Sequence, residues 1–514
     1  MKTSLPHNLT TSQPHNLMTS QAHNLIKLCL SVLAVVTIVH SCAPTPENVR
    51  EVKSLPTIYP DYTDITIPAN IAPLNFKIRG KADAVCLTAT CGESTLEVSE
   101  TGDKVMFGID EWKTFLENAA GKKVDVSLTV RENGEWKHYK DFVWTVSNDS
   151  IDPILTYRLI EPDYEVFNNL RIVERNITNF KERSISDYNI VGNRCMNCHK
   201  FSSNNPNLSM MYVRGDGGGA ILNDNGRLRK LDIKTDGMIG GSVYFSFSPN
   251  GRYVAFSTNI IIPAFHSDAS KRLEVFDTKS DIYVADIKEN KIIRSELLCD
   301  TTRLETFPTF APDGKSIYFC VAEASRDSFN VQTTIYNLAR IDFDMNKGLI
   351  GDSIHIMEVA PADSAATRGT SVCHPVVSPD GRFLLYTVAY YGTFPIWHPE
   401  CDLQMMDLQT GKLHTLDIVN SDKSDSYHSW SGNSRWFVFA SKRDDGLYGK
   451  PYFCHVDNDG NTTKPFLLPQ EDPDTYDNTL KSFNIPELGR GSLPFTAVDV
   501  QRVMEKEAEK FQWR

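Results

Sequence analysis

Phe247-Ser248-Pro249-Asn250-Gly251-Arg252-Tyr253-Val254-Ala255-Phe256 is the phrase that decides the fold. It returns as Ala311-Pro312-Asp313-Gly314-Lys315-Ser316-Ile317-Tyr318-Phe319 and as Ser378-Pro379-Asp380-Gly381-Arg382-Phe383-Leu384-Leu385-Tyr386. Ser431-Gly432-Asn433-Ser434-Arg435-Trp436-Phe437-Val438-Phe439 is a degenerate copy. Pro and Gly set a tight turn, and the apolar run after it forms a strand. Further strands follow in Asp281-Ile282-Tyr283-Val284-Ala285-Asp286 and Asp402-Leu403-Gln404-Met405-Met406-Asp407. A supersecondary unit repeated in this way predicts a propeller or a solenoid.

Four copies are clear between about Met210 and Pro473, and the hairpin from Val213 to Leu231 is a candidate fifth. The repeat resembles the TolB-type β-propeller blade over about half the chain, and that resemblance implies six blades. Fold alone does not name a function, because propellers host binding and catalysis alike.

The regions around the repeat predict an all-β chain with an N-terminal Ig-like β-sandwich, a haem-binding strap and a C-terminal TolB-like propeller. Residues 61–148 alternate apolar and polar, most clearly in Val124-Asp125-Val126-Ser127-Leu128-Thr129-Val130. Asn133-Gly134 is a two-residue hairpin signal, and Asp110 to Ala120 reads as one short helix. Residues 149–208 read as a mostly irregular strap, residues 209–480 as the propeller, and residues 481–514 as a tail. Within the tail, Ala497 to Phe511 reads as an amphipathic helix.

The strap ends in Cys195-Met196-Asn197-Cys198-His199, the attachment signature of c-type haem. The spacing lets the Cys195 and Cys198 thiols add across two vinyl groups, with His199 binding iron from one face. A zinc half-site would need a second ligand pair, and none of convincing spacing follows. A thioredoxin-like pair would need a βαβ setting. The expectation is one covalent haem c. Its distal ligand is expected to be His266, in Pro263-Ala264-Phe265-His266-Ser267-Asp268, with Met210 or Met211 as alternatives. An open sixth position is the remaining option.

The first 41 residues read as leader. Lys27 precedes an apolar run from Leu28 to Val39, which ends at Val39-His40-Ser41-Cys42. That ending resembles a bacterial lipobox, which implies lipidation of Cys42 and a tether over residues 42–60. Of 53 basic residues only Lys2 and Lys27 precede Cys42, so the chain from Cys42 carries 51 against 65 acidic ones, a formal −14. Such a chain has no electrostatic reason to bind nucleic acid. A lipid anchor to the membrane, in the periplasm or at the outer membrane, is the expected location. Cys86 and Cys91 are near enough in sequence for a disulfide across a hairpin, or are two unpaired thiols.

On the late repeats His374, His398, His428 and Arg443 could line one mouth of the propeller, or serve in inter-blade hydrogen bonding. Asp457-Asn458-Asp459-Gly460 resembles the start of a calcium loop but lacks the distal Glu, so a hairpin turn is expected.

The order of lipobox, β domain, haem motif and blades resembles exported propeller lipoproteins of Bacteroidota. The pairing of haem motif with propeller is also similar in outline to the α subunit of hydrazine synthase, a likeness that reaches only Cys195, Cys198 and His199. The expected function is electron transfer or haem-centred redox chemistry with a partner protein or small molecule. The alternative is a propeller that binds a protein or glycan and keeps the haem for structure or sensing. No Gly-x-Ser-x-Gly nucleophile turn supports a hydrolase.

Overall fold

The computed structural model describes residues 44–162, 168–265, 273–324, 331–359 and 370–514, with only the backbone at Cys198 and Phe265. The leader, Cys42 and His266 lie outside the described residues.

The protein is mostly β, and the described residues form six sheets of four or five strands consistent with β-propeller blades. Blade 1 is Ile154–Ile160, Arg171–Asn176 and Glu182–Asp187, joined by Ser482–Gly489 from the far end of the chain. Blade 2 is Met196–Ser202, Asn205–Val213, Gly219–Asp224 and Arg227–Asp232, with Glu509–Lys510 added at its edge. Blade 3 is Ser242–Phe247, Tyr253–Phe265, Leu273–Asp286 and Lys291–Ile293, edged by Gln512–Trp513. Blades 4, 5 and 6 begin with Arg303–Phe310, Ser371–Val377 and Asp425–Trp430. The first strands of blades 2 to 6 lie beside one another in chain order, and Ser482–Gly489 lies between those of blades 6 and 2.

The quoted phrase is the turn between the first and second strands of a blade. Ser248 Oγ donates to Asn250 Oδ1 at 2.7 Å and accepts from the Tyr253 N–H at 2.9 Å. Ser378 does the same with Asp380 (2.6 Å) and Phe383 (2.9 Å). Gly251 and Gly381 stand at φ of 69° and 76°, where glycine alone is unstrained. Arg252 and Arg382 then reach the aspartate that ends the third strand, Asp286 at 2.6 Å and Asp407 at 3.2 Å. Asp457 likewise closes a hairpin turn, its Oδ1 accepting from the N–H groups of Asp459 and Asn461 at 2.8 Å.

Residues 149–208 correct the strap expectation, because they hold all three outer strands of blade 1 and the first strand of blade 2. Every residue of Ile154–Ile160 is buried, so the strand carries no alternation to read. The tail is corrected too. Its helix covers only Ala497–Met504, capped by a reciprocal Thr496–Asp499 box, and the chain beyond it adds edge strands.

The N-terminal β domain joins a seven-stranded mixed sheet, a three-stranded sheet and the helix Ile109–Ala119 around one core. Asn133 and Gly134 both have positive φ, 51° and 83°, and close the expected hairpin. The tether expectation is narrowed, since Arg50–Glu51 and Ile58–Tyr59 are already strands. Cys86 and Cys91 share the single strand Ala84–Cys91, so no hairpin brings them together and no disulfide joins them. This domain shares its apolar core with blade 6, through Trp436 and Phe466. Trp436 Nε1 donates to the Asp149 carbonyl at 2.9 Å, and Lys464 pairs with Asp61 at 2.8 Å. No described helix is long and apolar enough to cross a membrane.

Candidate functional site

The first strand of each blade carries a register shift at the same place, and that of blade 2 has a second between Phe201 and Ser202. The shared shift falls between Val243 and Ser246, Thr306 and Thr309, Cys373 and Val376, and Ser426 and Ser429. In blade 1 it falls opposite Asn484 to Glu487, and in blade 2 between Asn197 and Lys200. In five blades a bulky residue occupies the bulge at positive φ: Tyr244 (55°), Phe307 (52°), His374 (51°), Tyr427 (48°) and Ile485 (51°). Such conformations cost about 1–3 kcal/mol each and persist only where packing enforces them. Here the rings pack on each other. Tyr244 and Phe307 centroids are 4.2 Å apart, Phe307 and His374 3.9 Å, His374 and Tyr427 4.7 Å. The register puts Cys198 at the bulge of blade 2.

This collar separates two cavities. Tyr244, Tyr427 and Ile485 line both. On one side lies a cavity of about 540 Å³, reached by Cys195, Asn197, Arg158 and Arg214. That volume is in the range of small-molecule and cofactor sites, roughly 300–1,000 Å³. Its far wall is apolar: Leu273 and Val275 from blade 3, Phe394 and Trp397 from the loop after blade 5's second strand. Blade 3 reaches there because Tyr253–Phe265 and Leu273–Asp286 run past the sheet as a paired arm. The arm is pinned by Glu274, whose carboxylate accepts from Tyr391 Oη at 2.8 Å and lies 3.4 Å from His398 Nε2.

On the other side of the collar is a cavity of about 110 Å³, lined by His199, His374, His428 and Lys200 among others. His199 Nε2 lies 3.3 Å from the Thr156 carbonyl, and burial, then the charge of Arg158, push its pKa down to about 3. His428 Nε2 lies 2.9 Å from the Leu385 carbonyl, and burial pushes its pKa down to about 4. Burial also lowers the pKa of His374. Lys200 pairs with the buried Glu487 at 2.8 Å.

The structure therefore divides the expected sites. Of the mouth cluster it brings His374 and His428 together. His398 is buried between Glu274 and Glu400, 2.9 Å from the latter. Arg443 pairs with Asp425 at 3.1 Å and covers the Tyr452 ring, serving packing between strands. Met210 and Met211 are buried in strand Asn205–Val213 and share with His199 a void of about 20 Å³, room for one water at most. Among the described residues no three His, Cys, Asp or Glu groups converge as a metal site.

The lining of the large cavity suits a haem in part: it combines apolar walls, two guanidinium groups and the Cys195 thiol, while His199, neutral and so in the form that binds iron, lines the smaller cavity across the collar. Ligation through Nε2 would exchange the hydrogen bond to Thr156. The arginines and the collar were missed in sequence. A signal for the collar exists: Tyr244, His374 and Tyr427 each stand four residues before the turn serine, as Cys198 does before Ser202.

No protein-family model matches the chain, and no curated protein matches it. Among solved structures it is similar to TolB from Acinetobacter baumannii, with 13% identity, 74% of this chain and 85% of that one covered, and a TM-score of 0.42. The periplasmic gluconolactonase PpgL of Pseudomonas aeruginosa is 14% identical, with 62% and 96% covered and a TM-score of 0.34. The tricorn protease is 14% identical, with 81% of this chain but 36% of that one covered, and a TM-score of 0.32. These figures do not bear on function.

Proposed function

We propose that this chain is an exported, lipid-anchored c-type haem protein built on a closed six-bladed TolB-like propeller. Cys195 and Cys198 carry one haem through thioethers, and His199 is its proximal iron ligand. The observation that supports this best is that Cys195 lines a cavity of about 540 Å³ with largely apolar walls. A haem there supplies one-electron redox chemistry. The chain's own part is to hold and shield it. Cys195 presents a thiol at the wall, burial keeps His199 neutral, and the pinned arm with Trp397 excludes water from the apolar side. His266 remains the proposed distal ligand, and the described strands on either side of it line the same cavity at Pro263 and Leu273.

The protein purified from a host with haem-maturation machinery should give a c-type pyridine haemochrome of one haem per chain. Cys195→Ala/Cys198→Ala should abolish it. Absence of the band in the wild type, or its survival in the variant, would overturn the reading. The second reading, a binding module, is favoured by Ile260, Ile261 and Ile262, which are 40%, 37% and 41% exposed along the arm. Carbon monoxide separates the two roles of the haem: an exchangeable site favours catalysis or sensing, and a closed low-spin site favours electron transfer or structure.

A further inference from the structure

The residue just past each bulge forms a second ring beyond the collar: Lys200, Ser246, Thr309, Val376, Ser429 and Glu487, each from a different blade. All six line a third cavity of about 200 Å³, whose wall includes the turn prolines Pro249, Pro312 and Pro379. Three ring members spend an oxygen on the neighbouring blade. Ser246 Oγ accepts from the Phe310 N–H at 2.9 Å, Ser429 Oγ from the Leu488 N–H at 3.3 Å, and Glu487 Oε2 from the Phe201 N–H at 3.1 Å. Glu487 Oε1 takes the Lys200 ammonium at 2.8 Å. The carboxylate of the ring is thus occupied at both oxygens, and Lys200 balances its charge. What remains is mostly donors. Ser246 and Ser429 keep their own O–H, and Thr309 Oγ1 has no hydrogen bond to a described residue. Arg490 is exposed at the cavity wall, and its guanidinium forms no hydrogen bond or ion pair with a described residue. Asp152 feels that charge without pairing to it, and does not line the cavity. Against these donors stands Asn204 Oδ1, its amide nitrogen donating to the Trp430 and Leu488 carbonyls at 2.8 and 2.7 Å. The charged residues of the wall are Lys200, Glu487 and Arg490, a formal +1.

We infer that this third cavity binds a small monocarboxylate, with Arg490 and the hydroxyls of Thr309, Ser246 and Ser429 donating to its oxygens. A surplus of donors around one forked guanidinium suits a ligand that brings acceptors and a single negative charge. A dianion such as phosphate is opposed by Glu487 in the same ring. Phe247, Phe310 and Trp430 offer apolar wall to a short carbon stem. The site is independent of the haem, because the collar and the histidine-lined cavity lie between it and the large cavity.

The full chain is titrated with propionate and, separately, with propionamide, its neutral isostere, at neutral pH and constant ionic strength. Binding is followed by saturation-transfer NMR of the methyl protons. Propionate should bind at least ~10-fold more tightly, the ratio that one charge-assisted hydrogen bond supplies. Arg490→Gln should remove most of that preference, and Thr309→Val should weaken propionate about threefold. Neither should shift the melting temperature, since neither side chain bonds to a described residue. Equal binding of acid and amide, no binding of either, or propionate binding untouched by both variants overturns the inference. Inorganic phosphate binding more tightly than propionate overturns the assignment of a singly charged ligand.

Discussion

His199 and His428 occupy the same register position in blades 2 and 6, one residue after the bulge, and each hydrogen-bonds through Nε2 to a carbonyl on the second strand of the preceding blade. Thr156 and Leu385, which supply those carbonyls, are also equivalent in register. The histidine of the haem motif is therefore also an inter-blade strut. Any iron ligation by His199 takes place at a position where the fold already uses imidazole.

Stability should depend on the neutral form of these struts. The unfolded His428 pKa lies near ~6.5, and burial lowers it to about 4 in the folded chain. Its contribution is then fully present above pH 6.5 and is lost as pH falls towards 4, because the unfolded state takes up the proton first. The same sign holds for His199. Melting curves of wild type and His428→Gln between pH 7 and pH 5 should converge by roughly 2 kcal/mol. Asp402, which burial raises to about 7, acts alike in both proteins and leaves the difference untouched. Parallel curves would refute the assignment.

Blade 1 should depend on the end of the chain. Leu488 is fully buried in Ser482–Gly489 and pairs with Leu155. Leu488→Ala should cost about 2–5 kcal/mol. Leu480→Ala, two residues before the strand and 66% exposed, should change little. Denaturant midpoints decide it, and equal midpoints would mean the closing strand is dispensable.

If His266 is the distal ligand, His266→Ala should turn a low-spin haem high-spin while the pyridine haemochrome stays. An unchanged visible spectrum would remove it from the site.

Cys42→Ala should shift the protein from the membrane fraction to the soluble fraction. A variant that still sediments with membranes, and a wild type that takes up no labelled fatty acid, would each count against the lipid anchor.

The sequence by itself determined what is local. The Ser-Pro-Asn-Gly and Ser-Pro-Asp-Gly turns, the Asn133-Gly134 hairpin and the helix at Ile109–Ala119 were legible because each is set by residues within one turn of chain. The spacing of Cys195, Cys198 and His199 was legible for the same reason. Only the tertiary structure decided that the strap is blade 1. Ile154–Ile160 is buried throughout and carries no period, and its partner Ser482–Gly489 comes more than 300 residues later. Only the tertiary structure put Cys195 and His199 in the linings of two different cavities, because the strand passes the collar between them, at the bulge that holds Cys198. It alone gathered Arg158, Arg214 and Trp397 around one cavity, since three separate blades supply them and no stretch of sequence contains all three.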